Sequence, residues 1–243
     1  MSPQRTPDGP PPPPAVQKLR IQYARRGRLR YSSTRDFGRA LERALRRSGV
    51  PMAYSAGFHP HPKISYANGA ATGAASEAEY FEISVTERVD PDALATALDA
   101  ALPDGLDIVS VVEAQPGALA DRLQASRWLL EFPGVELADL ERAVAGFLAQ
   151  ERVEVSRMFK KGVKSYDARE PVIRAETGLS DEGCAILTMV VRHTTPAVRP
   201  DDVLSAITAA TSFAPPRSPK ATRLAQGIWS SETESVADPL AAD

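Results

Sequence analysis

Hydrophobic periodicity in the first half of the chain predicts six elements in a fixed order, and this order constrains the fold most. They are a strand, a helix, two strands, a helix and a strand, at residues 18–32, 34–48, 53–66, 80–86, 91–102 and 106–112. The first strand alternates apolar and polar side chains, with Gly27 as a bulge or turn, and Thr34 is the expected N-cap of the first helix. The β-α-β-β-α-β order predicts a ferredoxin-like unit at residues 16–114.

The same order of elements recurs after a predicted linker at residues 115–125. Strands and helices are expected at 127–132, 137–150, 153–159, 172–177, 184–192, 200–210 and 221–229. The predicted fold is therefore α+β, with two tandem ferredoxin-like (βαββαβ) units that have antiparallel sheets, the second at residues 126–229. The Pro-rich residues 1–15 and the acidic residues 230–243 are expected to be disordered tails.

Composition excludes several classes of protein. The single cysteine, Cys184, excludes a disulfide framework, a Cys-rich zinc site and an iron–sulfur cluster held by this chain alone, and we expect neither a cofactor nor a metal. No apolar run approaches the length of a membrane span, and the N-terminus lacks the apolar core of a signal peptide, so no membrane partner is expected. A cytoplasmic protein is predicted.

Charge is unevenly distributed although the net charge is only −2. Residues 18–47 contain eleven Lys or Arg and two acids, whereas residues 77–113 contain ten acids and one Arg. Five arginines of the first predicted helix fall opposite its apolar side: Arg35, Arg39, Arg43, Arg46 and Arg47. With Arg25, Arg26, Arg28 and Arg30 on the preceding strand, they predict a cationic surface for phosphates, while an ordinary solvated helix face is the alternative.

The segment after this helix, residues 53–66, is rich in side chains that contact ligands. Its candidate RNA-binding residues are Tyr54, Ser55, Phe58, His59, His61 and Lys63. Bases can stack on the aromatic rings or hydrogen-bond to the imidazoles, and a loop merely packed on the sheet is the alternative. Lys160, Lys161 and Lys164 form a second candidate cationic patch that is either phosphate-facing or simply exposed loop.

The two histidines suggest two other functions, metal binding and acid–base catalysis. His59 and His61 are two residues apart in an extended segment, so their side chains point to opposite faces, which is poor geometry for holding a metal ion. With Tyr54 and Ser55 they could support metal-independent RNA cleavage by acid–base chemistry, and the weak catalytic candidates are His59, His61 and Tyr54.

Three segments carry a resemblance to a known family: RALRRSGVP from Arg43, AYSAGFHPHPKISYANG from Ala53, and SEAEYFEI from Ser76. They resemble the radical-SAM-associated family, often the C-terminal domain of cobalamin-binding radical SAM proteins and, in actinobacteria, a stand-alone protein. The resemblance covers residues 17–229, and a weaker motif combines residues 160–162 with 167–169. It implies a role near RNA, because family genes tend to lie beside a ribonuclease of the E/G type and ribosomal protein genes.

We therefore expect an RNA-binding accessory module that works with a radical SAM or ribonuclease partner on tRNA or rRNA. The alternatives are a stand-alone RNA-processing enzyme that uses His59 or His61, and a protein-interaction subunit whose basic face docks an acidic partner. The main hypothesis requires that the arginines of the first strand and first helix converge with the 53–66 segment in one anion-binding groove.

Overall fold

A computed structural model describes residues 11–160 and 162–241, which form two compact units. The first unit contains residues 11–72, 77–120 and 240–241, and the second contains residues 73–76 and 121–239. The units meet in sequence at Ala120 and Asp121, within the segment expected to be a linker. The protein is of the mixed α+β class, with mostly antiparallel sheet and few helices.

The first unit has its strands and helices in the predicted order. They are β1 (Gln17–Arg25), α1 (Thr34–Arg47), β2 (Ile64–Ala67), β3 (Ala75–Val85), α2 (Pro91–Ala101) and β4 (Leu106–Glu113). The strands lie side by side in the order β4-β1-β3-β2, and the β1–β4 and β2–β3 pairs are antiparallel. β2 is therefore the short strand at one edge of this part of the sheet.

The core of the first unit lies between its helices and one face of the strands. α1 buries Phe37, Leu41, Ala44 and Leu45, at the three- and four-residue spacing of one helix face. The ring of Phe37 stacks on Tyr23 of β1 with 4.1 Å between the ring centroids. Burial of each such side chain contributes about 1.5–3 kcal/mol, which fixes the buried side of α1 and leaves the opposite side to solvent.

The segment expected as one strand over residues 18–32 divides into two elements. Gly27 adopts a φ of 53°, a left-handed conformation that suits glycine and ends the extended chain. A short 3₁₀ helix, Gly27–Tyr31, follows, and Ser33, not Thr34, is the N-cap of α1. Ser33 and Asp36 form a capping box, and the hydrogen bond from the Ser33 hydroxyl lowers the pKa of the Asp36 carboxyl.

The second unit has one hairpin more than the sequence predicted. Its elements are β5 (Ala125–Phe132), α3 (Leu137–Leu148), β6 (Glu154–Phe159), β7 (Gly162–Asp167), β8 (Val172–Leu179), β9 (Ala185–Arg192), α4 (Pro200–Thr211), β10 (Lys220–Ser230) and β11 (Ser235–Ala237). The main strands lie in the order β10-β5-β9-β8, and their pairs are antiparallel. Ala75 and Ser76, at the start of β3, pair in parallel with Thr222 and Arg223. β6 and β7 form a separate two-stranded sheet.

The structure corrects two expectations, one within the second unit and one at the C-terminal end of the chain. Residues 160–164, expected to be a basic loop, include the start of β7, which continues the chain as a hairpin. Residues 230–243, expected to be a disordered tail, include β11, which pairs with β10, and the buried Leu240. Residues 11–15 have no regular secondary structure, and the rest of the expected N-terminal tail lies outside the described residues. None of the described helices has the length and apolar character needed to cross a membrane.

Candidate nucleic-acid interface

The exposed side of α1 carries the largest group of unpaired cations in the first unit. Arg35, Arg39, Arg43, Arg46 and Arg47 are all exposed. Within the described residues, none of these five forms an ion pair with a carboxylate. Two of them bond to the backbone: Arg46 donates to the carbonyl of Glu42, and Arg47 donates to that of Ala101. Because phosphate would not have to displace a carboxylate here, this side of α1 is suited to binding a polyanion.

The 3₁₀ helix adds cations and an aromatic ring at the N-terminal end of α1. Arg28 is exposed, and the guanidinium carbon of Arg30 lies 4.8 Å from the centroid of the Tyr31 ring. Arg30 also donates a 2.7 Å hydrogen bond to the Tyr31 hydroxyl, and 60% of Tyr31 is exposed. The sequence predicted Arg28 and Arg30 as cationic candidates but placed Tyr31 on the apolar face of a strand, because it did not show that the chain leaves the strand at Gly27.

The 53–63 segment forms a narrow hairpin beyond the C-terminal end of α1. Ser55 N–H donates to the carbonyl of His61, His61 N–H donates to the Ser55 hydroxyl, and Lys63 N–H donates to the carbonyl of Ala53. These bonds hold the two arms 53–55 and 61–63 together and leave 56–60 as the exposed tip. Phe58, at this tip, is 61% exposed, and Tyr54 is 40% exposed.

The two histidines of this hairpin have no hydrogen bond through their side chains to another described residue. His59 and His61 are both exposed, and Lys63 is exposed at the base of the hairpin. Among the described residues, no three His, Cys, Asp or Glu side chains come together in a possible metal site. An imidazole that acts as a catalytic base is usually oriented by a second group, and the described residues supply none to His59 or His61.

β2 brings a fourth exposed aromatic ring, Tyr66, into contact with α1. The Tyr66 hydroxyl lies 3.2 Å from the position that a Cβ on Gly38 would occupy, so glycine allows the close approach. The Tyr66 and Phe37 rings meet edge to face at 5.9 Å, yet Tyr66 remains 41% exposed. Burial, and then the negative charge of Glu42, raise the pKa of the Tyr66 phenol. The sequence analysis did not select Tyr66. The one sequence feature that could have indicated its contact with α1 is Gly38, the single glycine of that helix.

Two arginines predicted to bind RNA do not offer a free guanidinium group. Arg25 is buried and donates to the backbone carbonyls of Ser32, Ala70 and Ala71. Arg26 forms ion pairs with Glu77 and Asp107, whose charges raise its pKa. The expected convergence of strand and helix arginines is therefore wrong for these two, because Arg25, at the end of β1, binds loop carbonyls and Arg26, which follows β1, pairs with carboxylates of β3 and β4.

The second cationic patch belongs to the hairpin of β6 and β7. Lys160 and Lys164 are exposed, and Lys161 lies outside the described residues. The Lys164 amine lies 5.6 Å from the Phe159 ring, and Arg157 lies 4.7 Å from the same ring while pairing with Asp202. Burial, followed by the influence of the nearby Asp202 carboxylate, raises the pKa of Tyr166 to about 12.

The Asp167-Ala168-Arg169 motif anchors the base of this hairpin. Burial opposes ionisation of Asp167, but the backbone N–H groups of Arg169, Val153 and Glu170 donate to its carboxylate, and the net effect lowers its pKa. Arg169 donates to the carbonyls of Val172 and Leu148. These contacts give the motif a structural role within the second unit.

A half-buried histidine of the second unit, His193, was not a candidate from the sequence. His193 bonds through Nε2 to the Ser126 hydroxyl at 2.8 Å and through Nδ1 to the carbonyl of Leu123 at 2.7 Å. The carbonyl requires a proton on Nδ1, so the neutral ring accepts the Ser126 proton at Nε2. Burial is the main cause that lowers the pKa of His193, although the Leu123 bond opposes it.

Fold and surface together define an α+β protein of mostly antiparallel sheet with a cationic, aromatic-bearing side on its first unit. The chain belongs to a family described as an uncharacterized protein conserved in bacteria (DUF2344), whose model matches residues 18–200. No curated protein matches the chain.

Solved structures with some similarity include DyP-type peroxidases of two bacteria. A DypB variant of Rhodococcus jostii RHA1 in complex with heme is 12% identical, with 81% of this chain and 84% of that chain covered and a TM-score of 0.23. The encapsulated DyP-type peroxidase of Mycobacterium smegmatis is 11% identical, with 93% and 94% covered and a TM-score of 0.20. Scores this low carry no inference about fold or function.

Proposed function

We propose that the protein is an RNA-binding accessory module that presents RNA to a partner enzyme in the bacterial cytoplasm. The observation that carries the proposal is the exposed side of α1, where five arginines have no carboxylate partner among the described residues. Arg28 and Arg30 precede the N-terminal end of α1, and the 53–63 hairpin follows its C-terminal end. Arginine binds phosphate through a planar fork of donors, so this surface suits a nucleic-acid backbone.

The same proposal includes the finer description of the fold as two ferredoxin-like units. The first unit supports it with the element order β-α-β-β-α-β and the strand order β4-β1-β3-β2. In the second unit, β5, β8, β9 and β10 with α3 and α4 follow the equivalent order, β10-β5-β9-β8, and the β6–β7 hairpin is an insertion after α3. Units of this kind commonly expose one surface for ligands, but the fold alone does not assign a function.

The partner follows from the resemblance of residues 43–83 to radical-SAM-associated proteins. With one cysteine, this chain does not supply a three-cysteine cluster motif, so the chemistry would come from a radical SAM protein or an E/G-type ribonuclease. We propose tRNA or rRNA as the bound molecule and assign no catalytic step to this chain. The exposed histidines, which lack an orienting group among the described residues, support an accessory role.

Charge reversal on α1 tests the proposal. The variant Arg39→Glu, Arg43→Glu and Arg46→Glu is compared with the wild type by fluorescence anisotropy, using labelled bulk tRNA and a short labelled RNA of mixed sequence. We expect wild-type affinity to fall with salt at a slope of roughly −3.5 in log–log coordinates for about five phosphate contacts to single-stranded RNA, and the variant to lose binding.

A matched control separates the position of the charges from their number. The variant Arg88→Glu, Arg142→Glu and Arg152→Glu lowers the net charge equally at exposed sites where each arginine pairs with a carboxylate. We expect it to retain most of the affinity at equal ionic strength. Equal losses in both triple variants, or wild-type binding to acidic polypeptides as tight as to RNA, would overturn RNA binding at α1 in favour of unspecific attraction or an acidic protein partner.

A further inference from the structure

Four aromatic rings of the first unit are exposed although the unit has an apolar core to receive such groups. Tyr31, Tyr54, Phe58 and Tyr66 are 60%, 40%, 61% and 41% exposed. An aromatic ring left in water forgoes a large stabilisation that burial would give. Single exposed rings need no explanation, but four rings beside one cationic helix are a pattern that a ligand with flat faces explains.

The positions of these rings follow α1 from one end to the other. Tyr31 precedes the N-cap Ser33, and Tyr66 contacts the first half of the helix at Gly38. Tyr54 and Phe58 lie in the hairpin that follows the C-terminal end of the helix. The bond from Ala53 N–H to the carbonyl of Ser84 holds this hairpin to the end of β3. A helix of this length spans about 21 Å, so the rings occupy an extended track.

Hydrogen bonds hold both ends of this track in place. The buried guanidinium group of Arg25 binds the carbonyl of Ser32, next to Tyr31, and the carbonyls of Ala70 and Ala71, shortly after Tyr66. At the other end, the paired arms of the 53–63 hairpin fix the Tyr54 backbone opposite Pro62. The rings are therefore presented by an ordered backbone, which reduces the entropy lost on binding.

A cation already lies beside the Tyr31 ring. The Arg30 guanidinium lies over the Tyr31 ring and is held by the bond to its hydroxyl. A guanidinium plane and an aromatic ring are the two kinds of surface on which unpaired bases stack. The arginines of α1 lie between Tyr31 and the hairpin and supply charge for the backbone between stacked bases.

We infer that the ligand of this surface is single-stranded RNA, with unpaired bases stacked on Tyr31 and on the Tyr54–Phe58 hairpin. This inference rests on the proposed function and adds the class of RNA that the site takes. Bases in a duplex are stacked on each other and hide their faces, so a duplex can use the arginines but not the rings. Base identity is not read by stacking, and binding is expected to tolerate many sequences.

The test compares a short labelled single-stranded RNA of mixed sequence with the same RNA annealed to its complement. The variants are Tyr31→Ala and the double variant Tyr54→Ala with Phe58→Ala, and Val109→Ala of β4 is the matched control because Val109 is exposed at the opposite edge of the first unit's strands. Tyr66 is left intact because its ring packs against Phe37. Each ring variant is expected to weaken single-strand binding by roughly 5- to 150-fold, with an unchanged salt slope.

Two readouts distinguish this inference from the proposed function. The first is Tyr31→Phe, which keeps the ring and loses the hydroxyl and is therefore expected to keep the affinity. The second is an oligonucleotide with abasic positions. Its affinity for the wild type is expected to be as low as the affinity of the intact strand for Tyr31→Ala. If duplex and single strand bind equally and neither ring variant changes the affinity, the inference is wrong and the cationic interface stands. If no RNA binds even at low salt, the proposed function fails.

Discussion

The arginines of β1 and those of α1 lie close in sequence but in opposite environments. Arg20 is 1% exposed, and its guanidinium bonds to Glu82 at 3.1 Å and to the carbonyl of Gly117 at 2.6 Å. Arg25 is also buried and bound to backbone carbonyls. On α1, by contrast, the arginines are exposed and no carboxylate among the described residues pairs with them.

The contrast shows that arginine content alone does not locate a binding surface. A strand in a sheet has two faces, and β1 buries Arg20 and Arg25, so their guanidinium groups must find hydrogen-bond partners where they lie. A helix packed on a sheet buries one side only, and its other side has no reason to recruit carboxylates. The difference predicts that β1 arginines contribute to stability and α1 arginines to binding, and four measurements can test it.

The largest effect is expected from removing the partner of Arg20. Glu82→Ala leaves a fully buried guanidinium without its carboxylate, and we expect the free energy of unfolding to fall by about 3–5 kcal/mol in urea denaturation. Lys18, which also pairs with Glu82, is half exposed and can return to water.

The double variant Arg20→Met with Glu82→Leu provides the control for that result. It removes both charges and keeps apolar volume, so we expect it to recover most of the lost stability. A double variant as unstable as Glu82→Ala would show that the pair itself, and not the uncompensated charge, stabilises the unit.

The histidines extend the comparison between buried and exposed copies of one residue. Because burial lowers the pKa of His193, the unfolded chain binds its proton first as the pH falls below about 6.5. The contribution of His193 to stability is therefore complete above that pH and is lost on acidification, with a slope of at most about 1.4 kcal/mol per pH unit. Urea denaturation between pH 7 and pH 5.5 measures it.

His193→Gln is expected to lose this pH dependence, whereas His59→Gln, at an exposed hairpin tip, is expected to keep the wild-type dependence. An unchanged slope in His193→Gln would mean that His193 charges equally in the folded and unfolded chains. The pKa shifts of Asp36 and Asp167 act at lower pH, because both carboxyls have lowered values, and do not interfere in this window.

A single arginine of α1 is expected to affect binding and not folding. Arg39→Ala should change the unfolding free energy by less than about 0.5 kcal/mol, because the side chain is exposed and unpaired among the described residues. It should reduce the salt slope of RNA binding by about 0.7 for one lost phosphate contact on a single strand. Titrations at several salt concentrations measure both affinity and slope, and a stability loss above 1.5 kcal/mol would contradict the division between β1 and α1.

The sequence was sufficient for elements that repeat a clear hydrophobic period. The apolar side of α1 and the apolar face of β1 are buried as predicted, because periodicity reports which side chains face a core, but Arg20 on the predicted polar face of β1 is buried as well. It was insufficient where a single residue redirects the chain, as Gly27 does, or where the turn residue Gly162 begins a further strand. Such positions depend on backbone conformation that a period does not encode.

The candidate site was predicted in part for the same reason. The exposed arginines of α1 followed from their spacing, and the hairpin residues followed from their chemistry. That Arg25 and Arg26 do not belong to the candidate site could not be predicted, because partners that hold their guanidinium groups lie about 45 to 81 residues away in sequence. Tyr31 and Tyr66 were missed since exposure of an aromatic ring depends on what packs beside it, and one sequence does not give that neighbour.

The smallest effect is expected at Glu42, which with Asp36 is one of two acids on the arginine side of α1. It lies three residues after Arg39 and four before Arg46, so it shares their side of the helix. Its negative charge is the second cause, after burial, that raises the pKa of Tyr66. Glu42→Gln is expected to improve RNA affinity by about twofold, the scale of a surface charge of ~0.4 kcal/mol, and to lower the pKa of Tyr66. Anisotropy and absorbance titration of the phenol measure the two changes. Glu87→Gln, an exposed acid outside α1, is the control and should change neither. A loss of affinity in Glu42→Gln would mean that the carboxylate accepts a hydrogen bond from the ligand, which a phosphate group cannot donate, and would contradict the assignment of this position to phosphate contacts.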